Sequence, residues 1–180
     1  MKFVPVLALL SIGAVTVQEP PAPAKPDANH VWLQHLVGEW SVSTEMSAGP
    51  DTQPMKVESA ESVRSVGGLW VVAEGKFEFL GTPMTTLMTL GYDARKQAFV
   101  GTWIDTMQAH MWIYNGSLDA AKKVLTLEAE GPAFDDPTKN AKYRDAIEIV
   151  GPDHKVLTSS MLMPDGKWNT FLHADYKRKK

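Results

Sequence analysis

From Trp40 to the end of the chain, apolar and polar residues alternate with a period of two. In the first such stretch Trp40, Val42, Thr44 and Met46 share one face, while Glu39, Ser41, Ser43 and Glu45 share the other, the pattern of a strand buried on one side. Comparable segments follow at about 55–66, 69–80, 83–92, 97–105, 109–117, 123–130, 141–150, 155–163 and 167–177, which makes ten predicted strands. Ahead of them, in the stretch from His30 to Val37, Trp32 or Leu33 falls with Leu36 and Val37 at helical spacing, and Gly38 follows as a C-terminal stop. One short helix is expected there.

Most segments are joined by short turn formers. Asp93-Ala94-Arg95-Lys96, Asp119-Ala120-Ala121-Lys122, Gly151-Pro152-Asp153-His154 and Pro164-Asp165-Gly166 supply Asp side chains for nearby amides, preset Pro torsions and Gly for positive φ. Links this short favour antiparallel neighbours. The long connection, Gly131 to Asn140, is polar and proline-rich, so it is expected to form a lid or rim loop, with Asp135 and Asp136 solvated. Asn115-Gly116-Ser117 fits a glycosylation sequon, but Asn-Gly here reads more simply as a turn. A meander of ten strands avoids unpaired edges by closing, so the expectation is an all-β, antiparallel up-and-down barrel with one N-terminal helix. Ten strands leave room inside, and Met84, Met88, Met107, Met111, Met161 and Met163 suit an adaptable apolar lining of an internal cavity.

The chain starts with Met1-Lys2 and an apolar run from Phe3 to Val17, then turns to Gln18-Glu19-Pro20-Pro21. Residues 1–17 read as a secretory signal peptide and 18–29 as a Pro-rich tether, leaving 30–180 as a single domain. The product is expected in the periplasm or outside the cell, with no membrane span once the signal is removed. None of the 180 residues is Cys, which excludes disulfides, thiolate metal sites and cysteine nucleophiles. A net charge of −3 offers no footprint for nucleic acid, and the basic tail Lys177-Arg178-Lys179-Lys180 reads as a solvated end.

Leu36-Val37-Gly38-Glu39-Trp40, Glu61-Ser62-Val63-Arg64 followed by Gly67-Gly68, Gly91-Tyr92-Asp93, Trp103-Ile104-Asp105, Arg144, Pro164-Asp165-Gly166-Lys167 and Tyr176-Lys177-Arg178 occur in that order. Over roughly residues 30–178 the chain therefore resembles the bacterial family known as domain of unknown function 1579, whose members look like calycin-type barrels. The resemblance implies that fold and an exported bacterial setting, but neither a reaction nor a ligand. The Gly38-x-Trp40 opening is also similar to the lipocalin and fatty-acid-binding pattern, which implies that Trp40 plugs one end of the barrel.

Strand parity selects the candidate site. Glu61 shares its face with Met55, Val57 and Val63, where a carboxylate needs a partner or a raised pKa. Trp103 and Asp105 share a face with Phe99 and Gly101, and His110, Trp112 and Tyr114 share one in the next strand. The expectation is a polar patch of Glu61, Asp105, His110 and Tyr114 holding the head group of a small apolar or amphipathic ligand, with Trp103 and Trp112 stacked on its apolar part. The competing reading is an internal hydrogen-bond network in a structural barrel with no ligand. Arg144 is the countercharge for an anionic head group, although parity turns it outward with Glu148, as a surface pair.

A second class is a haem-binding, nitrobindin-like barrel, whose axial histidine lies on the final strand. His173 is the matching position, but it shares a face with Lys167, Asn169 and Asp175, while Trp168, Leu172, Ala174 and Tyr176 make the better inward side. No cofactor is therefore expected. His30 and His35 are five apart, wrong for a shared metal, and read as exposed imidazoles on an amphipathic cap. No nucleophile elbow or phosphate loop is present. The protein is read as a binder, not an enzyme; a cavity isomerase or cyclase using Glu61 or Asp105 as base is the outlying alternative.

Overall fold

The alternating segments close into a single barrel. The computed structural model describes residues 22–47 and 53–180; the expected signal segment and the first residues of the tether lie outside the described residues. A helix, α1 (Ala28–Leu33), runs on through a 3-10 turn (Gln34–Leu36) into β1 (Gly38–Met46). Then come β2 (Met55–Val66), β3 (Trp70–Phe79), β4 (Thr82–Asp93), β5 (Ala98–Asp105), β6 (Trp112–Leu118), β7 (Val124–Pro132), β8 (Asn140–Gly151), β9 (His154–Leu162) and β10 (Trp168–Arg178). Each strand pairs antiparallel with its sequence neighbours, and β1 closes the ring on β10, with Trp40 opposite Arg178.

One end is capped. Asp27 starts α1 by accepting from the backbone N–H of Asn29 and His30, and Nδ1 of His30 accepts in return from the Asp27 backbone, a reciprocal cap that ties off the first turn. Trp32, Leu33 and Leu36 are buried against the barrel. Trp32 Nε1 donates to the Lys122 carbonyl at 2.9 Å and Gln34 Nε2 to that of Gly68, so the helix is fastened to two turns at this end. His30 differs from the expected exposed imidazole: it is buried, edge-on to Tyr92 at 5.7 Å, because it serves in the cap. His35 is exposed.

Trp40 is the plug expected at this end, 1% exposed, with its Nε1 donating to the Leu36 carbonyl at 2.9 Å. Arg178 lies over its ring at 4.2 Å and donates to the carbonyls of Val37, His35 and Pro152. Gly38, at φ 140°, lets that guanidinium pass, since a Cβ there would strike Arg178 Nη1.

The opposite end carries most of the longer connections. Of the expected methionine lining, Met84 is buried and Met88 packs on the core, whereas Met107 and Met111 lie exposed in the β5–β6 loop. Asn115-Gly116 is not a turn: it lies within β6, with Gly116 paired to Phe99 and Leu127 in the closely packed interior. β10 carries a bulge at Phe171, where the register with β9 shifts. Such an extra residue exchanges the faces on its two sides, so Trp168 stands outside, contrary to its expected inward face, and Asn169 pairs with inward-facing Met161.

Candidate functional site

The interior polar groups form a floor that begins on the Trp40 plug. Glu61 of β2 points inward as expected, and its partner is Lys155 of β9, whose Nζ donates at 2.7 Å. The ammonium also lies 4.6 Å from the Trp40 ring centre and 4.5 Å from that of Tyr176. Burial lowers the Lys155 pKa, while the Glu61 charge and hydrogen bond act to raise it.

Beside this pair, Tyr114 of β6 donates to Asp145 Oδ2 of β8 at 2.6 Å, and Ser159 of β9 hydrogen-bonds the same carboxyl. Burial raises the Asp145 pKa against both hydrogen bonds. Burial also carries the Tyr114 phenol well above its ordinary value, helped by the Asp145 charge. These groups feel one another, since Glu61 and Asp145 both add to the upward shift of the buried Tyr176.

Around this floor and on toward the uncapped end, the wall is lined by Ser59, Thr86, Met88, Trp103 and Leu157, all inward by register yet only part-buried. Trp103 stands beside Met88 and Trp112. Asp145 itself keeps solvent-reachable surface although protein surrounds it. These positions are less completely buried than Trp40, Phe99 and Leu125 nearer the capped end, so the wall is packed less tightly here.

The seven candidate residues do not form one patch. Glu61 and Tyr114 lie in the floor, Trp103 above them, and Asp105 and His110 at the rim. Asp105 is occupied as a turn cap, accepting from the backbone N–H of Met107 at 2.7 Å and Gln108 at 2.9 Å. The same device recurs at Asp93, Asp119, Asp136 and Asp165. His110 and Trp112 meet edge to face at 4.9 Å, and Trp112 meets Tyr143 at 4.7 Å. Tyr143 and Phe171 are in turn capped by Phe134 from the Ala133–Lys139 loop, so that connection does form part of the rim. Arg144 faces outward as parity indicates, but it pairs with Glu128 at 2.8 Å and stacks 4.0 Å over Trp168, not with Glu148. Glu128 lies directly across the β7–β8 ladder.

Lys155, Asp145 and Ser159 were missed by sequence. Asp145 carries the parity of Tyr143 and Ile147, and Lys155 that of Leu157 and Ser159, so alternation alone contained the signal.

His173 is exposed on the outer face, His154 is held there by Asp175 at 2.7 Å, and His30 belongs to α1 and is occupied in its cap. The last strand thus offers the lumen no imidazole, and these residues do not fit an iron ligated from β10. Among the described residues no cluster of three His, Cys, Asp or Glu is placed to hold a metal, and no helix is long and apolar enough to cross a membrane.

Over residues 25–178 the sequence matches the family described as "Protein of unknown function (DUF1579)". Among curated proteins nothing matches. The fold is similar to that of Rv2717c from M. tuberculosis, with 16% identity, TM-score 0.60, and coverage of 87% of this chain and 100% of that one. It is also similar to the S-type phycobiliprotein lyase CPES from Guillardia theta, with 13% identity, TM-score 0.53, and coverage of 86% and 99%.

Proposed function

This chain belongs to the DUF1579 family of proteins of unknown function, and from that premise we propose that it is an exported, periplasmic or secreted, binding protein for a small apolar or amphipathic molecule. The ligand sits in the barrel with its polar group at the floor made by Glu61, Lys155, Tyr114 and Asp145. Its apolar part lies between Trp103, Met88 and Trp112. The protein acts by binding, not by turnover.

The observation that carries this reading is the part-exposed state of inward-facing residues of the barrel, Asp145 and Trp103 above all. A lumen with an apolar wall and a few convergent polar groups is the usual form of a small-molecule site. The charges at the floor already have protein partners, so the best-matched ligand is uncharged or weakly polar at that end. It shares hydrogen bonds with the floor without displacing an ion pair.

The test is native mass spectrometry of the mature protein purified from its own export compartment, with organic extraction of anything bound. A stoichiometric small molecule, lost in Trp103→Ala with the fold intact, is expected. A clean apo mass that persists after incubation with a lipid and metabolite mixture overturns the reading in favour of a structural barrel.

A further inference from the structure

The barrel wall is incomplete between β6 and β7. Toward the uncapped end their ladder stops at Asn115 and Glu128. β6 nevertheless continues to Trp112, held by Trp103 of β5, and β7 continues to Pro132, held by Asn140 of β8. Three residues on each side, 112–114 and 129–131, therefore face each other across a seam with no ladder. Outside it lies an open cleft of about 450 Å³, lined by His110, Met111, Ile113, Ala129, Lys142 and Trp168 among others. Met111 and Ile113 are largely exposed there.

Two rings wedge the seam. Trp112 and His110 both lie against Gly131, where an added Cβ would come within 2.5 Å of Trp112 Cζ3 and 2.8 Å of His110 Nε2. Only a glycine admits them. Their fit is good in shape and poor in hydrogen bonding. Trp112 Nε1 and His110 Nε2 are buried without a partner, and among the described residues the one other such side-chain nitrogen is Nε of Arg144, on the neighbouring strand β8. A buried polar nitrogen without a partner, donor or acceptor, has lost its water and received nothing in exchange. Swinging the rings outward gives both nitrogens water and breaks no ladder bond, so local opening is favoured here over every fully laddered part of the wall.

We propose that this seam is a lateral gate, with Trp112 and His110 as its leaf, through which the ligand passes between the outer cleft and the lumen. The proposal rests on the binding reading above and names the route for an amphipathic molecule with a hydrogen-bond acceptor. Trp112 Nε1 is a donor only, so the passing acceptor satisfies it. The apolar part meanwhile moves from Met111 and Ile113 outside to Trp103 and Met88 within.

The absence of native cysteine makes the gate lockable. Continuing the β6–β7 register beyond Asn115 and Glu128 places Ile113 across from Glu130, both outside the lumen. The double variant Ile113→Cys/Glu130→Cys, closed by oxidation or by a short bifunctional methanethiosulfonate, is compared with its reduced form. The readout is stopped-flow uptake of the amphipathic dye 1-anilinonaphthalene-8-sulfonate. The expected result is an uptake rate at least tenfold lower in the locked protein, recovered on reduction, with equilibrium affinity unchanged. An unchanged rate overturns the gate and assigns passage to the uncapped end.

Hydrogen exchange of the unmodified protein judges the seam even if the dye shows no saturable binding, a result that counts against the binding reading alone. Seam-facing amides of 112–114 and 129–131 are expected to exchange at least 100-fold faster than those of Leu125 and Leu127. Equal protection overturns the gate. Trp112→Phe, which keeps a wedge and removes the unmet donor, is expected to slow seam exchange severalfold.

Discussion

At the scale of single residues, the floor sets two measurable couplings. Lys155 is 6% and Glu61 15% exposed at the side chain, so removing either leaves the other charge buried and alone. Lys155→Met is expected to destabilise by about 3–5 kcal/mol, while Glu61→Gln/Lys155→Met loses much less, because the second change removes the stranded carboxylate. Urea denaturation of the four-member cycle checks this; additive losses would show that the pair is not coupled. Asp145 supplies the second. Burial holds its native pKa above the unfolded value of 3.8, so the native state retains a proton that the unfolded chain gives up first. Stability from this group is whole below pH 3.8 and is lost as pH rises through the native pKa. Asp145→Asn keeps one acceptor oxygen for Tyr114 and offers Ser159 its amide, so it is expected to come close to wild type near pH 3.5 and to gain in Tm relative to it as pH rises above 4. A constant difference across that range would mean the carboxyl does not titrate as described.

At the scale of elements, Asp105 separates two roles assigned to one carboxylate. As a cap on the β5–β6 turn, its replacement by Ala is expected to cost about 0.5–2 kcal/mol, by analogy with other side-chain-to-amide caps, with ligand affinity unchanged; Asp105→Asn restores most of the stability. Affinity falling in both variants with stability intact would return Asp105 to the ligand. The same turn shows what a sequence reveals. Period-two alternation located all ten strands because each has one face in the core, and parity alone turned Glu61 and Tyr114 inward and His173 outward. Parity fails where the period breaks. The bulge at Phe171 sends Trp168 outside, and nothing in Trp168-Asn169-Thr170-Phe171-Leu172 marks the extra residue. Partners separated by long stretches of chain, such as Glu61 with Lys155 or Tyr114 with Asp145, depend on ring closure and register, which local pattern does not encode. Asp105 and His110 looked like lumen residues because their strands were read to the rim, where the chain is already turning.

At the scale of the whole molecule, a barrel exists only if its first and last strands meet, and Arg178 is the clasp. Its guanidinium donates to the carbonyls of Val37, His35 and Pro152, pairs with Asp153 at 3.1 Å, and covers the Trp40 plug. It thus joins the end of β10 to the start of β1 and to the β8–β9 turn, although the basic composition of the tail suggested a solvated end. Hydrogen bonds from a charged donor are worth more than neutral ones, and this side chain is only 27% exposed. Arg178→Ala is expected to cost about 2–3 kcal/mol, against less than about 0.5 kcal/mol for Lys177→Ala, whose side chain is 60% exposed. The kinetics carry the sharper test. The β1–β10 contact spans nearly the whole chain, so its closure entropy places it late in folding. A contact formed after the transition state affects unfolding and leaves refolding alone. Arg178→Ala should therefore raise the unfolding rate by one to two orders of magnitude at an almost unchanged refolding rate. A matching loss in the refolding rate would instead make closure of the ring the nucleating step.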